Sequence, residues 1–412
     1  MHKIMQVIFR YKSSLEVHTG IVLSNQLNKQ KSNLKFLEIL APNNRIFGKL
    51  DILLGSKKHF NVSKNAIYDK FIAENSINPK HITLDTETVF PDRVLLLAPK
   101  FYGEYPNAVW WDFFHHLQNL DIKVIWLDLL ENDLKVSLRE YLDIFFQNRF
   151  DKNLLFLDPL AATERFVQYE SVNQELLNSL KSREHFRVIG LLGDIWRSKD
   201  KKKIIESTSY FDGYIHIDRI AAEEYPKEVK DKFYYFPFVA FDTGEFQPST
   251  KINKLIFSGQ VRDSDRRYWL RSVINYCKKM NVPIEIHSWY NWNQGNALKQ
   301  AEYVTKLNTC QYSLSLTQKG LNHWLITARA LQSLLSGCTL IHQEGKNYRT
   351  FEGILTPYRD YIPFTSSYEL YEVIKFISDY PKESKKIGEN GALKIRSFFQ
   401  EAGFWNFCLN LN

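Results

Sequence analysis

Between residues 310 and 343 the chain reads CQYSLSLTQKGLNHWLITARALQSLLSGCTLIHQ, a stretch compatible with few folds. Residues 311–316 are a run of β-formers, and the loop 317–324 carries Gly320 and Asn322, both at ease in turns. From Leu325 apolar residues recur at helical spacing, with Ala328, Leu331 and Leu335, until Gly337 ends the helix and 339–342 opens another strand. Strand, helix and strand in so short a span predict a parallel pair with a crossover helix. Such a unit points its helix N-terminus at whatever lies over the carboxyl ends of the strands, where phosphate groups bind. Arg329 and Gln332 share one face of that helix, so a guanidinium and an amide stand ready for a pyrophosphate and a ribose. A solvated helix face is the plainer reading of the same pair.

The alternation continues on both sides. Residues 254–259 (KLIFSG) predict a strand running into a glycine loop with Arg262, then a helix over 266–279 and a strand over 283–287. Further upstream, strands are expected at 93–98, 123–127, 153–157, 186–192, 213–217 and 233–236, with helices over 108–120, 135–150 and 163–180. Continuous apolar strands between amphipathic helices mean parallel sheets covered on both faces, an α/β class. The 412 residues suffice for two such domains. The boundaries read as a small mixed N-terminal module over 1–90, with strand-like pieces at 35–40 and 49–54. A doubly wound domain over 91–245 and a second over 246–397 follow, joined through turn signals at 242–250, and 398–412 is a closing helix.

Taken together, these residues resemble the carboxyl-terminal domain of GT-B glycosyltransferases, and within them the spore-maturation CgeB-like group. In that group a strand ending in glycine is followed by a basic residue, then by a helix carrying R-x-x-E-A-x-x-x-G, and an Asn-Gly precedes the last helix. Gly259 and Arg262, RALQSLLSG at 329–337, residues 361–364 and Asn390-Gly391 fill those places here, and FPFVAFD at 236–242 is similar to the family's linker entry. The resemblance implies a GT-B architecture, two Rossmann-like domains facing across a cleft, with the tail after Phe398 crossing back to the first. It implies a hexosyltransferase-type enzyme moving a sugar from a nucleotide-diphosphate-sugar donor to a hydroxyl of a glycan or lipid-linked acceptor. The donor site would comprise Gly259, Arg262, Lys319, Thr327, Arg329 and Gln332, its cations and the amides near Ile326 neutralising the departing diphosphate. The nucleotide sugar is a substrate, so no cofactor is implied. One position departs: the family's glutamate, often the ribose ligand, is Gln332 here, an uncharged amide that still accepts from a hydroxyl. A non-catalytic nucleotide-sugar-binding protein with a decayed site and a nucleotide-sugar epimerase are the alternatives on this scaffold.

An inverting transferase needs a base for the acceptor hydroxyl. Loops at the carboxyl ends of the first domain's strands line the crevice, which selects Asp194 in GDIWR and, second, Glu104 in FYGE. For Asp194, capping its turn or pairing with Arg197 is the plainer reading. The formal charge of +8 favours an anionic partner; nucleic acid is not expected. Lys199, Lys201, Lys202 and Lys203 read as a solvated face, with peripheral contact to an anionic inner membrane surface as the alternative. Cys277, Cys310, Cys338 and Cys408 lack any paired spacing, which signals neither zinc nor a disulfide framework and favours a reduced, cytoplasmic setting. The start, MHKIMQVIFRYKSS, has no signal-peptide cleavage site, and no run approaches the roughly 20 apolar residues of a spanning helix. Asp263-Ser264-Asp265 is a D-x-D that suits Mg²⁺ or Mn²⁺ beside a diphosphate, but between Arg262 and Arg266 it reads as a helix start, so no metal is expected. His115 and His116 are adjacent, whereas a helical zinc pair wants i, i+4 spacing. The absence of phosphate-loop, dinucleotide and nucleophile-elbow motifs argues against a P-loop ATPase, a dehydrogenase and a hydrolase.

Overall fold

The run RVLLLA forms strand β1 (Arg93–Ala98), buried on both faces from Val94 onward, as a continuous apolar strand in a covered sheet must be. The structure, a computed structural model, describes residues 66–76, 89–102, 105–106, 108–128, 152–158, 186–192, 198–217, 225–236, 242–261, 264–291, 294–295, 298–319, 323–324, 326–345, 349–399 and 402–409. Strands β2 (Lys123–Asp128), β3 (Asn153–Leu157), β4 (Arg187–Leu192), β5 (Gly213–His216) and β6 (Phe233–Tyr235) join β1 in a sheet of order β2-β1-β3-β4-β5-β6, all parallel. Helices α1 (Ala66–Ser76), α2 (Ala108–Asn119) and α3 (Ser198–Ser207) are described in this half of the chain. The period of two in each strand sends Val94, Leu96 and Phe156 to a core shared with Phe113 of α2, and Leu95, Leu97 and Leu155 to a core shared with Ile204 of α3.

The second sheet holds β7 (Ile252–Gln260), β8 (Ile284–Asn291), β9 (Gln294–Gly295), β10 (Cys310–Ser315), β11 (Thr339–Gln343) and β12 (Ile362–Phe364). Its order is β9-β8-β7-β10-β11-β12, parallel except for the short β9. Around it lie α4 (Ser264–Lys279), α5 (Gln300–Thr309), α6 (Ala328–Leu335), α7 (Ser367–Asp379) and α8 (Pro381–Phe399). A last helix, α9 (Ala402–Leu409), lays its aromatic side chains on the first sheet: Phe404 stacks on Phe156 at 6.2 Å and Phe407 on Tyr234 at 4.7 Å. Two Rossmann-like sheets are therefore present. Among the described residues no helix is long and apolar enough to cross a membrane.

Two expectations need correction. The helix expected from Leu325 begins at Ala328, because Thr327 keeps extended backbone and caps it. Within the stretch expected as plain loop, Gln318–Lys319 pairs antiparallel with His323–Trp324. Within 1–90, residues 66–76 form α1, which buries Ile67 and Phe71 in the second sheet's core and stacks Tyr68 on Tyr380 at 4.3 Å. Two apolar residues one turn apart are too brief a pattern to reveal a docked helix. The strand-like pieces at 35–40 and 49–54 and the helices expected over 135–150 and 163–180 lie outside the described residues.

At two glycines helix α8 comes close against neighbouring backbone. A Cβ at Gly391 would stand 2.2 Å from the Asp360 carbonyl oxygen, and one at Gly388 would stand 2.7 Å from the Thr339 nitrogen. Beside Gly391, the Asn390 amide donates to the Arg359 carbonyl at 3.2 Å and to Asn75 of α1 at 3.3 Å. The Asn-Gly pair thus fixes α8 on the second sheet and ties α1 to it. Gly391→Ala is expected to destabilise the fold by about 1–3 kcal/mol through overpacking against immovable backbone; a urea midpoint equal to wild type would contradict this packing.

Candidate functional site

Ligands settle in a doubly wound sheet where neighbouring strands send their connections in opposite directions. In the second sheet this point lies between β7, which leads through α4 to β8, and β10, which leads through α6 to β11. The strand ends there are Gly259 and Gln260 on one side and Ser315 to Thr317 on the other. Thr317 is fully buried, and its hydroxyl donates to the Gln343 carbonyl at 2.7 Å, tying the ends of β10 and β11 together. Thr327 then caps α6, its Oγ1 accepting from the Ala330 N–H at 3.3 Å and lying 3.4 Å from Ser315 Oγ. At the other end, Gly337 adopts φ 74° and the Lys251 ammonium donates to the Ser336 carbonyl at 2.6 Å. A cation there complements the helix dipole and leaves the first-turn amides as the electropositive end.

Arg329 is half-buried, and its guanidinium reaches across to β7. A Cβ at Gly259 would lie 3.1 Å from its Cζ and 3.2 Å from a terminal nitrogen. With no side chain at Gly259, that cationic plane lies closely against the strand end, and a Cβ there would push it back by a few tenths of an ångström. Gly259 and Arg329, distant in the chain, are thereby brought together at the switch point, with the Thr327 cap two residues before Arg329. Lys319 stands in the short hairpin leading into α6, its backbone paired with His323. Arg262, Asp194 and Glu104 lie outside the described residues, as does Asp263; α4 begins immediately after it, at Ser264.

Gln332, also on α6, is buried to 5% exposure. Its carbonyl accepts from the Tyr303 hydroxyl of α5 at 3.0 Å, and its amide donates to Asp112 of α2 at 3.4 Å. These bonds use one of the two lone pairs and one of the two N–H groups of the amide, so the ribose contact expected of Gln332 falls to the remaining ones. Burial pushes the Asp112 carboxyl up to about 7, the Gln332 amide opposing and Glu245 adding to the shift. Asp112 and Tyr303 were not among the expected site residues. The available signal was an aspartate inside the aromatic run WWDFF, since a carboxyl folded into an apolar face needs a partner. The two histidines that follow separate: His115 is exposed and 3.1 Å from Gln118, while His116 is buried with its ring 3.5 Å from the Asp242 carbonyl, and burial lowers its pKa.

The first sheet has its own switch point, between β1 and β3. Asp158 stands there, just past β3, its backbone N–H donating to the Leu97 carbonyl at 3.2 Å. It is a second carboxylate that the reading of loops 101–104 and 193–197 passed over, because a lone Asp before Pro159 looks like a strand stop.

A family model described as "Glycosyl transferase-like" matches residues 266–402, well under half of the chain. No curated protein matches. Among solved structures, TarM is similar at 10% identity with a TM-score of 0.47, over 66% of this chain and 57% of that one, so the chain spans little more than half of TarM. The DNA-modifying β-glucosyltransferase is similar at 12% identity and TM-score 0.46, over 77% and 100% of the two chains. Anabaena HepE, in complex with UDP and glucose, is similar at 9% identity and TM-score 0.45, over 76% and 97%.

The contact at Gly259 is testable. Its nearest neighbours are the flexible end of Arg329 and the edge of Phe257, so Gly259→Ala should displace the guanidinium with little change in unfolding midpoint. Nucleoside-diphosphate affinity should fall about tenfold or more, the scale of one charge-assisted hydrogen bond. Calorimetric affinity equal to wild type would contradict a role for this approach in binding.

Proposed function

We propose that this chain is a GT-B-type glycosyltransferase that moves a sugar from a nucleotide-diphosphate-sugar donor to a hydroxyl of a glycan or lipid-linked acceptor. The observation that carries the reading is the Arg329 guanidinium laid over Gly259 at the switch point of the second sheet, beside the capped start of α6. Arg329 belongs to the segment that the glycosyl transferase-like model matches. Glycosyl transfer breaks the bond between the anomeric carbon and a diphosphate oxygen, so negative charge grows on the leaving group. A fixed guanidinium and helix-terminal amides stabilise that charge without reorganising. Arg262 and Lys319 are assigned to the same leaving group, and the reaction is taken to be a metal-independent hexosyl transfer.

On the acceptor side, the hydroxyl oxygen attacks the anomeric carbon as a base takes its proton and the diphosphate departs. Asp194 is assigned that role first and Glu104 second; a retaining enzyme would need neither. With the Gln332 amide bonded on both sides, a nucleotide-sugar-binding protein without turnover is the second reading, and an epimerase the third. A panel of nucleotide sugars separates them: slow donor hydrolysis supports the transferase, an isomerised donor the epimerase, and binding without turnover the decayed site.

Arg329→Ala should weaken nucleoside-diphosphate binding by about 1.5–3 kcal/mol with thermal stability nearly unchanged; unaltered affinity in calorimetry would place the donor elsewhere. Asp194→Asn should cut turnover by about 100-fold or more with donor affinity retained, and near-normal turnover would remove it from the mechanism. Chelator should leave turnover intact, whereas activity lost to chelation and restored by Mn²⁺ would return Asp263 and Asp265 to a metal role.

A further inference from the structure

Among the apolar side chains shared by the two sheets runs a chain of polar contacts: Asp112 on α2, Gln332 on α6 and Tyr303 on α5. Gln332 accepts from a phenol and donates to a carboxyl at once, which an amide does and a carboxylate cannot. A glutamate there would set two carboxylates together out of water, and one would have to hold a proton. The amide is thus the side chain that fits opposite Asp112. Gln332 is also one turn along the same short helix from Arg329, so a contact that holds Gln332 helps place the backbone from which Arg329 reaches Gly259.

We propose that Asp112 is a positioning residue for the donor site, holding α6 from the facing domain through Gln332. The inference rests on the glycosyltransferase reading and names a residue of the opposite domain that sets donor affinity. Burial and the neighbouring Glu245 favour the neutral carboxyl, while the Gln332 N–H opposes them. On its own helix, His116 is kept from charging by burial. From the linker, Glu245 adds a negative charge, while Asp242 is engaged by Arg396 at 3.4 Å. Tyr303 is a buried neutral phenol on α5, and the Arg329 charge bears on Tyr303. The folded-state pKa of Asp112 stands above its ordinary 3.8, at about 7. Its contribution to the buried arrangement is therefore complete below the ordinary value and lost as pH rises through about 7. An ionised Asp112 disfavours the arrangement in which Arg329 is placed, and nucleotide binding should then take up a proton.

The test is calorimetric titration of UDP and GDP into wild type, Asp112→Asn and Gln332→Glu between about pH 6 and about pH 8.5, a window bracketing the raised carboxyl. Wild-type affinity should fall about 3- to 10-fold across it, with proton uptake seen on changing buffer. Asp112→Asn should be flat to within about twofold, and Gln332→Glu steeper than wild type. A merely structural Asp112 would lower stability yet leave the pH slope of binding in the variant, and that result overturns the inference. A flat wild-type profile also overturns it. Wild type binding neither nucleotide at any pH would fail the glycosyltransferase reading and this inference with it; tight binding with identical slopes in wild type and Asp112→Asn removes the inference alone. Should Asp112→Asn fail to fold, Tyr303→Phe keeps Asp112 but releases the Gln332 carbonyl. Lower affinity with the slope retained supports the positioning chain, and unchanged affinity contradicts it.

Discussion

Both sheets rest on one continuous apolar cluster. Leu96, Phe113 and Phe156 enter it from the first half, Leu331, Leu334 and Leu340 from the second, and Phe404 and Trp405 of α9 close it. Each fully buried side chain of this size contributes about 1.5–3 kcal/mol, so the relative placement of the sheets is decided by packing. The polar contact between Asp112 and Gln332, worth about 1 kcal/mol net, is too small to hold the halves together. It is large enough to choose between two closely spaced arrangements, since 1.4 kcal/mol is tenfold in population. A proton on Asp112 therefore tunes the interface and does not assemble it.

The same division applies to the site. The apolar residues of α6, Ala330, Leu331, Leu334 and Leu335, seat the helix, and two cationic groups at its carboxyl end, Lys251 and Arg396, engage the carbonyls of Ser336 and Leu335. Its amino end is left to Thr327 and the first-turn amides. Arg329 adds a full charge where the dipole supplies a partial one, and the missing side chain of Gly259 admits it. These features converge on one physical property, a preorganised electropositive strand end, which suits a diphosphate better than a neutral ligand.

Much of this was legible in the residues. The strand over Arg93–Ala98, the helix from Ala108, and the unit from Cys310 through Gly337 to Gln343 follow from periodicity and punctuation, because local pattern and tertiary burial ask for the same thing there. The glycine before Arg262 and the arginine on α6 are expected site residues, and the fold lays the Arg329 guanidinium against Gly259. What was not legible depends on contacts distant in sequence. That Gln332 turns to Tyr303 and Asp112 cannot be read from a helix face, and α1 carries too little pattern to reveal its dock on α7. Gly388 and Gly391 show the reverse case: an ordinary-looking helix whose glycines make sense only once the backbone of Asp360 and Thr339 lies against them.

The central claim is that the diphosphate of a nucleotide lies at the switch point of the second sheet, against Arg329 and the start of α6. A crystal structure with bound UDP tests it most directly. The account predicts phosphate oxygens within hydrogen-bond distance of the Arg329 guanidinium and of first-turn amides of α6, with Gly259 beneath them. A diphosphate bound elsewhere, or Arg329 turned away from it, would contradict the account.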